Sequence, residues 1–352
     1  MAHAKKQPRL TQRDIARLSR VSQATVSRVL AGDERVDLLT MERVKQAIEE
    51  HDYRPDVRAR SFRNQRSGLI GLVFKRPPGG LHDDPFFANL ASEITDFLSG
   101  KPYHLCIEMV TPKTQQHTYD ELLRTRRVDG LVLVESEARD ERIRKLQADA
   151  FPFVLIGNPL FEDRPGQPPF SVDNDNILAG QTAAKHLIDS GYKKVGILSG
   201  PPGVTVSEDR IIGYQRAIAG CQDNELIWHS EFGLHAAQSK ALEILFSPNR
   251  PDAMVVLDDF MAMGVVLAAR TAKLHIPDDL GLVSFNNSSI CHLLEGGLTS
   301  ISLNSAEIVR VACTQLLNII EDKPVRFPSR VIVPTQLMIR GSSIPSWRTN
   351  GE

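Results

Sequence analysis

From residue 68 to about residue 285, short apolar runs alternate with amphipathic segments, and this alternation constrains the fold more than any other feature of the 352-residue sequence. The apolar runs occupy residues 68–74, 103–110, 129–134, 151–157, 193–200, 253–257 and 281–285. Segments with helical spacing separate them, for example residues 86–98 and 116–127. The alternation predicts an α/β protein with parallel sheets covered by helices on both faces, and its two series predict two lobes.

The predicted strands end in charged or amide side chains, among them Asp258 and Asn286. In open parallel sheets, ligands bind outside the carboxyl ends of the strands. Carboxylates and amides pair with hydroxyl groups, and an aromatic ring covers the C–H face of a sugar. Phe86, Phe87 and Phe232 are within loop reach of these ends. The pattern indicates a sugar site, although polar residues are also common in loops that bind nothing.

The first 66 residues are basic while the rest of the chain is acidic. They hold 15 Lys and Arg against 9 Asp and Glu, although the net charge of the whole chain is −1. A basic segment joined to an acidic body indicates a polyanionic partner for that segment alone. A solvated basic tail has the same composition, so the order of the residues must decide between the two.

That order predicts a three-helix head. Thr11 and Asp14 form a capping-box pattern ahead of an apolar stripe, and Ser22 can cap a second short helix. A third helix is predicted from Thr40. On the second helix Gln23 and Arg28 face outward, and these two residue types make paired hydrogen bonds to adenine and guanine edges. Hydroxyl side chains suit phosphates, so the second helix is predicted to read a major groove.

Residues 54–66 carry five arginines and one aspartate, with Phe62 among them. An exposed ring in such a segment is typical of minor-groove binders that insert an apolar wedge between base steps. A charged linker with one ring packed on the body fits the composition equally well.

Enzyme, membrane and metal classes find no support in the sequence. No apolar run approaches the ~20 residues of a membrane span, and no secretory signal is recognised. The segment 200–207 lacks the lysine of a phosphate-binding loop, and no nucleophile elbow or zinc-type spacing occurs. We therefore expect a cytoplasmic protein with no catalytic residues, no cofactor and no metal.

The chain resembles the LacI/GalR family of bacterial transcription regulators over about residues 10–343. The likeness is carried by the runs LTQRDIARLSRVSQATVSRVLAGDERV, TMERVKQAIEEHDYRPDVRARSFR, RSGLIGLVF, DPFF, VDGLVLV, VDNDN, AGQTAAKHLIDSGYKKVGILSGPP, DRIIGY, DDFMAMG and IRGSS. The resemblance implies a helix-turn-helix head, a hinge helix and a two-lobed body like a periplasmic sugar-binding protein. The implied bounds are 1–53 for the head, 54–66 for the hinge, 67–190 with 303–324 for the N-lobe, 191–302 with 325–343 for the C-lobe, and 344–352 for the tail.

The resemblance also implies roles for individual residues. Base contacts would come from Gln23, Ala24 and Arg28. Other DNA contacts would come from Thr11, Ser22, Thr25, Ser27, Tyr53, Arg58 and Phe62, with Phe62 at the position of the family's minor-groove wedge. The effector pocket would contain Asp175, Arg210, Phe232, Asp258 and Asn286, in addition to Phe87 from the strand-end argument.

Three positions depart from the family pattern. Arg20 replaces the glycine usual in the turn, where left-handed geometry costs a non-glycine residue about 1 kcal/mol. Arg58 stands where a small hinge residue is common. Asn286 and Asn287 replace paired aspartates, so the pocket loses negative charge and keeps its hydrogen-bonding capacity.

The resemblance implies a homodimeric repressor that binds near-palindromic operator DNA under the control of a small effector. The effector expected is a sugar or oligosaccharide, such as a maltose-type glucan. A purine or a phosphorylated partner protein would also use the ring and Arg210. A sugar-binding or sugar-modifying protein with a DNA tether is the alternative from another class.

Overall fold

The computed structural model describes residues 10–30, 33, 35–53, 66–75, 85–111, 113–134, 141–158, 168–222, 225–324 and 327–349. The chain divides after Ser67 into two compact units, called here the head and the body. Among the described residues, no helix is long and apolar enough to cross a membrane.

The described residues of the head form three helices, as the sequence predicts. They are α1 (Gln12–Leu18), α2 (Gln23–Leu30) and α3 (Leu38–Glu50). The capping box at Thr11 and Asp14 is present. The third helix begins two residues earlier than predicted, because the Asp37 carboxylate accepts a hydrogen bond from the backbone N–H of Thr40 and so caps it. Ile15, Val26 and Val44 are fully buried and form the centre of the head's core.

The turn between α1 and α2 has the left-handed geometry that glycine, the residue usual at position 20 in the resembling family, adopts most easily. Arg20 has a φ of 56°, in the left-handed region, and the Ser19 hydroxyl donates to the carbonyl of Ile15 at 2.7 Å. The following backbone N–H, that of Val21, donates to the carbonyl of Ala16. These bonds hold the turn in place against the conformational cost at Arg20.

The body alternates strands and helices. Its strands are β1 (Leu69–Lys75), β2 (His104–Val110), β3 (Gly130–Val134), β4 (Phe153–Ile156), β5 (Ser171–Asn174), β6 (Val195–Ser199), β7 (Ile227–His229), β8 (Ala253–Val256), β9 (Gly281–Phe285), β10 (Thr299–Ser302), β11 (Arg330–Val333) and β12 (Gln336–Met338). Its helices are α4 (Pro85–Leu98), α5 (Gln115–Thr125), α6 (Glu141–Ala148), α7 (Asn176–Asp189), α8 (Thr205–Ile218), α9 (Leu234–Leu245), α10 (Asp259–Thr271), α11 (Ser305–Ile320) and α12 (Ser346–Thr349).

The strands of the described residues form two sheets of six, one in each lobe. The N-lobe order is β11-β5-β4-β3-β1-β2, and the C-lobe order is β12-β10-β9-β8-β6-β7. All pairings are parallel except that of β10 with β12. Helices α4 and α11 pack on one face of the N-lobe sheet, and α5 and α6 pack on the other. Helices α9 and α10 cover one face of the C-lobe sheet, and α7 and α8 cover the other. The predicted doubly covered parallel sheets are therefore confirmed.

Two segments lie in the opposite lobe from the one implied by the resemblance. Helix α7 was expected in the N-lobe, but its Ala179, Ala183 and Leu187 are fully buried against the C-lobe sheet. Strand β11 was expected in the C-lobe, but it pairs with β5 in the N-lobe. The chain therefore changes lobe between β5 and α7, between β10 and α11, and between β11 and β12. Local periodicity cannot choose between two sheets for a short segment, since that choice depends on pairing with distant residues.

Candidate functional site

On the head, α2 presents the predicted polar face. Ser22, Gln23, Ala24 and Arg28 are exposed, and Thr25 and Ser27 are half-buried. The Ser22 hydroxyl accepts a hydrogen bond from the backbone N–H of Thr25 at 3.0 Å and so caps the helix. The Gln23 side-chain oxygen accepts from Arg13 Nε at 3.4 Å. Gln23, Ala24 and Arg28 therefore present polar and small side chains to solvent on α2, as a base-reading helix requires.

The remaining predicted DNA contacts have different placements. The Thr11 hydroxyl donates to the Asp14 carboxylate at 2.7 Å as part of the cap of α1. Tyr53 is only 7% exposed, and its ring belongs to the core of the head. Arg58 and Phe62 lie outside the described residues.

In the body, a cleft of about 900 Å³, including its open mouth, lies between the two lobes. Four of the predicted effector residues line it, and its N-lobe wall includes Phe86, Leu90 and Ser305. A second cavity of about 580 Å³ shares several of these residues and extends the cleft towards Asn89 and Phe260. The four predicted residues brought together here are Arg210, Phe232, Asp258 and Asn286.

Arg210 is the best-anchored group of the cleft and is 4% exposed. Its Nε donates to the side-chain oxygen of Asn176 at 3.1 Å, and its Nη1 donates to the carbonyl of Leu257 at 2.6 Å. Its guanidinium carbon lies 3.9 Å from the centre of the Phe285 ring. Burial lowers the pKa of Arg210 to about 10, so the group stays charged at neutral pH. Its orientation is thus set before any ligand binds.

Asp173 lines the cleft beside Arg210. Its carboxylate accepts from the backbone N–H of Asn174 at 2.7 Å and from the Asn176 side chain at 3.1 and 3.2 Å. Burial raises the pKa of Asp173 to about 6, even though these hydrogen bonds and Arg210 favour the ionised form. A run of hydrogen bonds therefore connects Arg210, Asn176, Asp173 and Asn174.

Asn174 joins this run to the places where the chain changes lobe. Its side-chain nitrogen donates to the carbonyl of Leu303 at 3.0 Å and to the carbonyl of Val333 at 2.8 Å. Each of these three residues lies at one of the three crossings, and Asn174 is 3% exposed. The Asn174 carboxamide thus links the three chain segments that cross between the lobes by hydrogen bonds.

Two predicted effector residues do not line the cleft. Phe87 is 2% exposed and stacks on Phe74 in the core, with ring centroids 4.5 Å apart, while its neighbour Phe86 lines the cleft. A step of one residue turns a helix by about 100°, so adjacent residues face different sides.

Asp175 is exposed, and its carboxylate accepts from the backbone N–H of Leu178 as the N-cap of α7. The strand ends at Asn174 and the helix begins at Asn176, so the two-residue alternation that would align Asp175 with Asp173 is broken. Within the motif VDNDN, Asp173 therefore lines the cleft, whereas Asp175, the aspartate predicted from the sequence, does not. The prediction also missed Asn174 and Asn176, which the same motif contains.

The other two predicted acidic and amide residues are held by backbone contacts. Asp258 caps α10, with its carboxylate 2.7 Å from the backbone N–H of Met261. Asn286 has a φ of 100°, and its backbone N–H donates to the carbonyl of Ile301. Among the described residues, no group of three or more His, Cys, Asp or Glu side chains could hold a metal ion.

Comparison with protein families gives two matches. Residues 11–56 match the model of bacterial regulatory proteins of the lacI family, and residues 184–343 match a periplasmic binding protein-like domain.

Similar curated proteins are named as transcriptional regulators. The HTH-type transcriptional regulator CelR of Thermobifida fusca is 27% identical over 93% of this chain and 96% of its own length. MalR of Streptococcus pneumoniae is 28% identical over 89% of this chain and 93% of its own. The HTH-type transcriptional repressor CytR of Escherichia coli K12 is 28% identical over 97% and 99%.

Solved structures share the fold over most of the chain. A transcriptional regulator CelR–cellobiose complex is 26% identical, with a TM-score of 0.71 over 95% of this chain and all of its own. The lac repressor dimer bound to operator and the anti-inducer ONPF is 20% identical, with a TM-score of 0.80 over 96% of this chain and all of its own.

Proposed function

We propose, because the chain belongs to the lacI family of bacterial regulatory proteins, that a neutral carbohydrate bound in the body cleft controls its affinity for operator DNA. The chain is a DNA-binding transcriptional regulator of repressor type. The observation that carries the proposal is the pre-oriented Arg210 in a cleft of carboxylate, amide and aromatic side chains.

The charges around Arg210 favour an uncharged ligand. The carboxylates of Asp173, Asp258, Asp259 and Asp209 all lie close enough to raise its pKa against the effect of burial. An anionic ligand would meet these carboxylates, and a single guanidinium does not form the concentrated cationic cluster that recognises a phosphate. Hydroxyl groups can donate to the carboxylates and accept from the guanidinium without a net charge.

Two further features support a sugar of more than one ring. The cleft continues into the second cavity, and Phe86 and Phe232 lie along it as rings that can cover sugar faces. The names of similar proteins agree with this class, since one solved relative is a complex with cellobiose. A purine remains the second candidate, because Phe232 and Arg210 could also hold a nucleobase.

A thermal-shift screen tests the ligand class. Cellobiose, maltose, glucose, hypoxanthine, guanine and glucose 6-phosphate are each added in large excess, and a ligand of the folded state raises Tm. We expect a shift with a disaccharide and none with glucose 6-phosphate. A shift with a purine and with no sugar would overturn the carbohydrate proposal.

The Arg210→Met variant shows whether the shift arises in this cleft. It should lose the shift, whereas Arg216→Met, which removes an exposed arginine from the same helix, should keep it. Chromatography of the bound sugar after incubation tests the alternative of a sugar-modifying protein, because conversion of the sugar would favour an enzyme.

On the DNA side, we propose that Gln23, Ala24 and Arg28 contact base edges and that Ser22, Thr25 and Ser27 contact phosphates. The exposure of Gln23, Ala24 and Arg28 on α2 and of Ser22 just before it supports this assignment, and Thr25 and Ser27 are half-buried on the same helix. We also propose that the protein acts in the cytoplasm, where operator DNA lies, as a homodimer whose symmetry matches two half-sites.

A further inference from the structure

Asp259 is a buried carboxylate directly beside the cleft residue Asp258, in the first turn of α10. It is 1% exposed and accepts four hydrogen bonds. One oxygen accepts from the hydroxyls of Ser284 and Ser300 at 2.5 and 2.7 Å. The other accepts from the backbone N–H and the hydroxyl of Ser288 at 2.7 and 2.8 Å. A buried charge with this many donors connects the start of α10 to β9, to β10 and to the loop that follows β9.

The segment that Asp259 holds has an unfavourable backbone. Asn286 and Asn287 are consecutive residues with φ values of 100° and 50°, both in the region that favours glycine. Asparagine tolerates the left-handed region better than most residues, but two in succession require support from their surroundings. That support must come from the contacts of the loop formed by residues 286–288.

Most of the hydrogen bonds that hold this loop end at Asp259, directly or through Ser300. Ser288 binds it directly through two groups, and the backbone N–H of Asn287 donates to the Ser300 hydroxyl, which in turn donates to Asp259. Arg340 adds one more contact, from its Nη2 to the Asn287 side-chain oxygen at 2.7 Å. With this loop fixed, Asn286 lies in the cleft wall beside Asp258.

We propose that Asp259 is a positioning residue for ligand recognition: its carboxylate holds the loop 286–288 in the conformation that places Asn286 in the cleft. Asp259 and Ser288 also line the second cavity, so the exchange rates of the loop, and not sugar affinity alone, test this positioning role. The part of the proposal that concerns ligand affinity rests on the proposed function, and the part that concerns the loop does not.

Hydrogen–deuterium exchange of the full-length protein tests the loop without any ligand. In Asp259→Asn, an amide replaces one acceptor oxygen, so the backbone N–H groups of Asn287 and Ser288 should exchange at least about tenfold faster. A peptide from β6 should exchange as in the wild type. Ser288→Ala removes one hydrogen bond and should give a smaller increase, which keeps the test usable if Asp259→Asn does not fold. Ser289→Ala, at the next and exposed position, should change nothing.

Titration with cellobiose and with maltose tests the effect on recognition. For the sugar that binds the wild type, Asp259→Asn should weaken binding about tenfold or more, and Ser288→Ala should weaken it less. Unchanged exchange in both variants overturns the proposal, as does faster exchange with undiminished affinity. If neither sugar binds the wild type, the carbohydrate assignment fails, while the exchange rates still decide whether Asp259 holds the loop.

Discussion

Asp173 is the residue whose ionisation should make stability depend on pH. Its pKa of about 6 lies above the ordinary 3.8 because burial disfavours the charged form. The group therefore stabilises the fold fully below about pH 4, and this contribution is lost as the pH rises through 6. Because asparagine cannot ionise, the stability of Asp173→Asn relative to the wild type should increase by about 2 kcal/mol between pH 4.5 and 7.5.

Urea unfolding at several pH values measures this difference. Asp96→Asn removes the same charge from an exposed position of α4 and serves as the control. A difference between wild type and Asp173→Asn that stays constant over the range would contradict the prediction. The neighbouring charges Arg210 and Asp209 are unchanged in the variant, so they cancel in the comparison.

At the scale of one element, the N-cap of α7 is Asp175, whereas Asp173 of the same motif lines the cleft. Asp175→Ala removes the hydrogen bond to the backbone N–H of Leu178 and should lower the free energy of unfolding by about 1 kcal/mol. Since Asp175 is exposed and does not line the cleft, the thermal shift produced by the bound sugar should be unchanged. Calorimetry with and without the sugar measures both quantities, and a lost shift would place Asp175 in the ligand site.

At the scale of the whole body, the three crossings between the lobes share the Asn174 carboxamide. Asn174→Ala leaves the carbonyls of Leu303 and Val333 without this donor and should cost about 1–3 kcal/mol. The variant should also bind the sugar more weakly, because the Asn174 side chain itself belongs to the lining of the cleft. Asn249→Ala, at an exposed position, is the control. If both variants bind the sugar with equal affinity, Asn174 stabilises the lobe crossings without contributing to sugar binding.

DNA recognition belongs to the whole molecule as well, since a dimer presents two heads. Arg28→Ala should weaken binding to a selected operator by about 1–3 kcal/mol per lost base contact and hardly alter binding to random DNA. Fluorescence anisotropy at fixed salt measures both affinities, with Lys45→Ala on α3 as the control. An equal loss on both DNAs would make Arg28 a phosphate contact.

Sedimentation at micromolar concentration checks the oligomer, for which we expect a dimer. A predominant tetramer would contradict the expected match of one dimer to two half-sites.

Features that depend on neighbours along the chain can be predicted from the amino-acid sequence. Capping residues and apolar spacing at Thr11, Ser22 and Val26 predict the head helices, and buried runs such as 129–134 predict the central strands. These signals are local, because a helix cap or a buried strand is specified within a few residues. Arg210, Phe232, Asp258 and Asn286 could be selected in advance because they follow predicted strands or match a family motif.

Features that depend on partners far apart in the sequence are defined by the packing of the folded chain. The short strands β5 and β11 recognise each other across more than a hundred residues, and this pairing assigns β11 to the N-lobe. The same folding places Phe86 rather than Phe87, and Asp173 rather than Asp175, in the cleft. Residues one or two positions apart near the end of a strand or helix face different sides, so a small shift changes which side chain faces the cleft. Packing between elements sets that orientation.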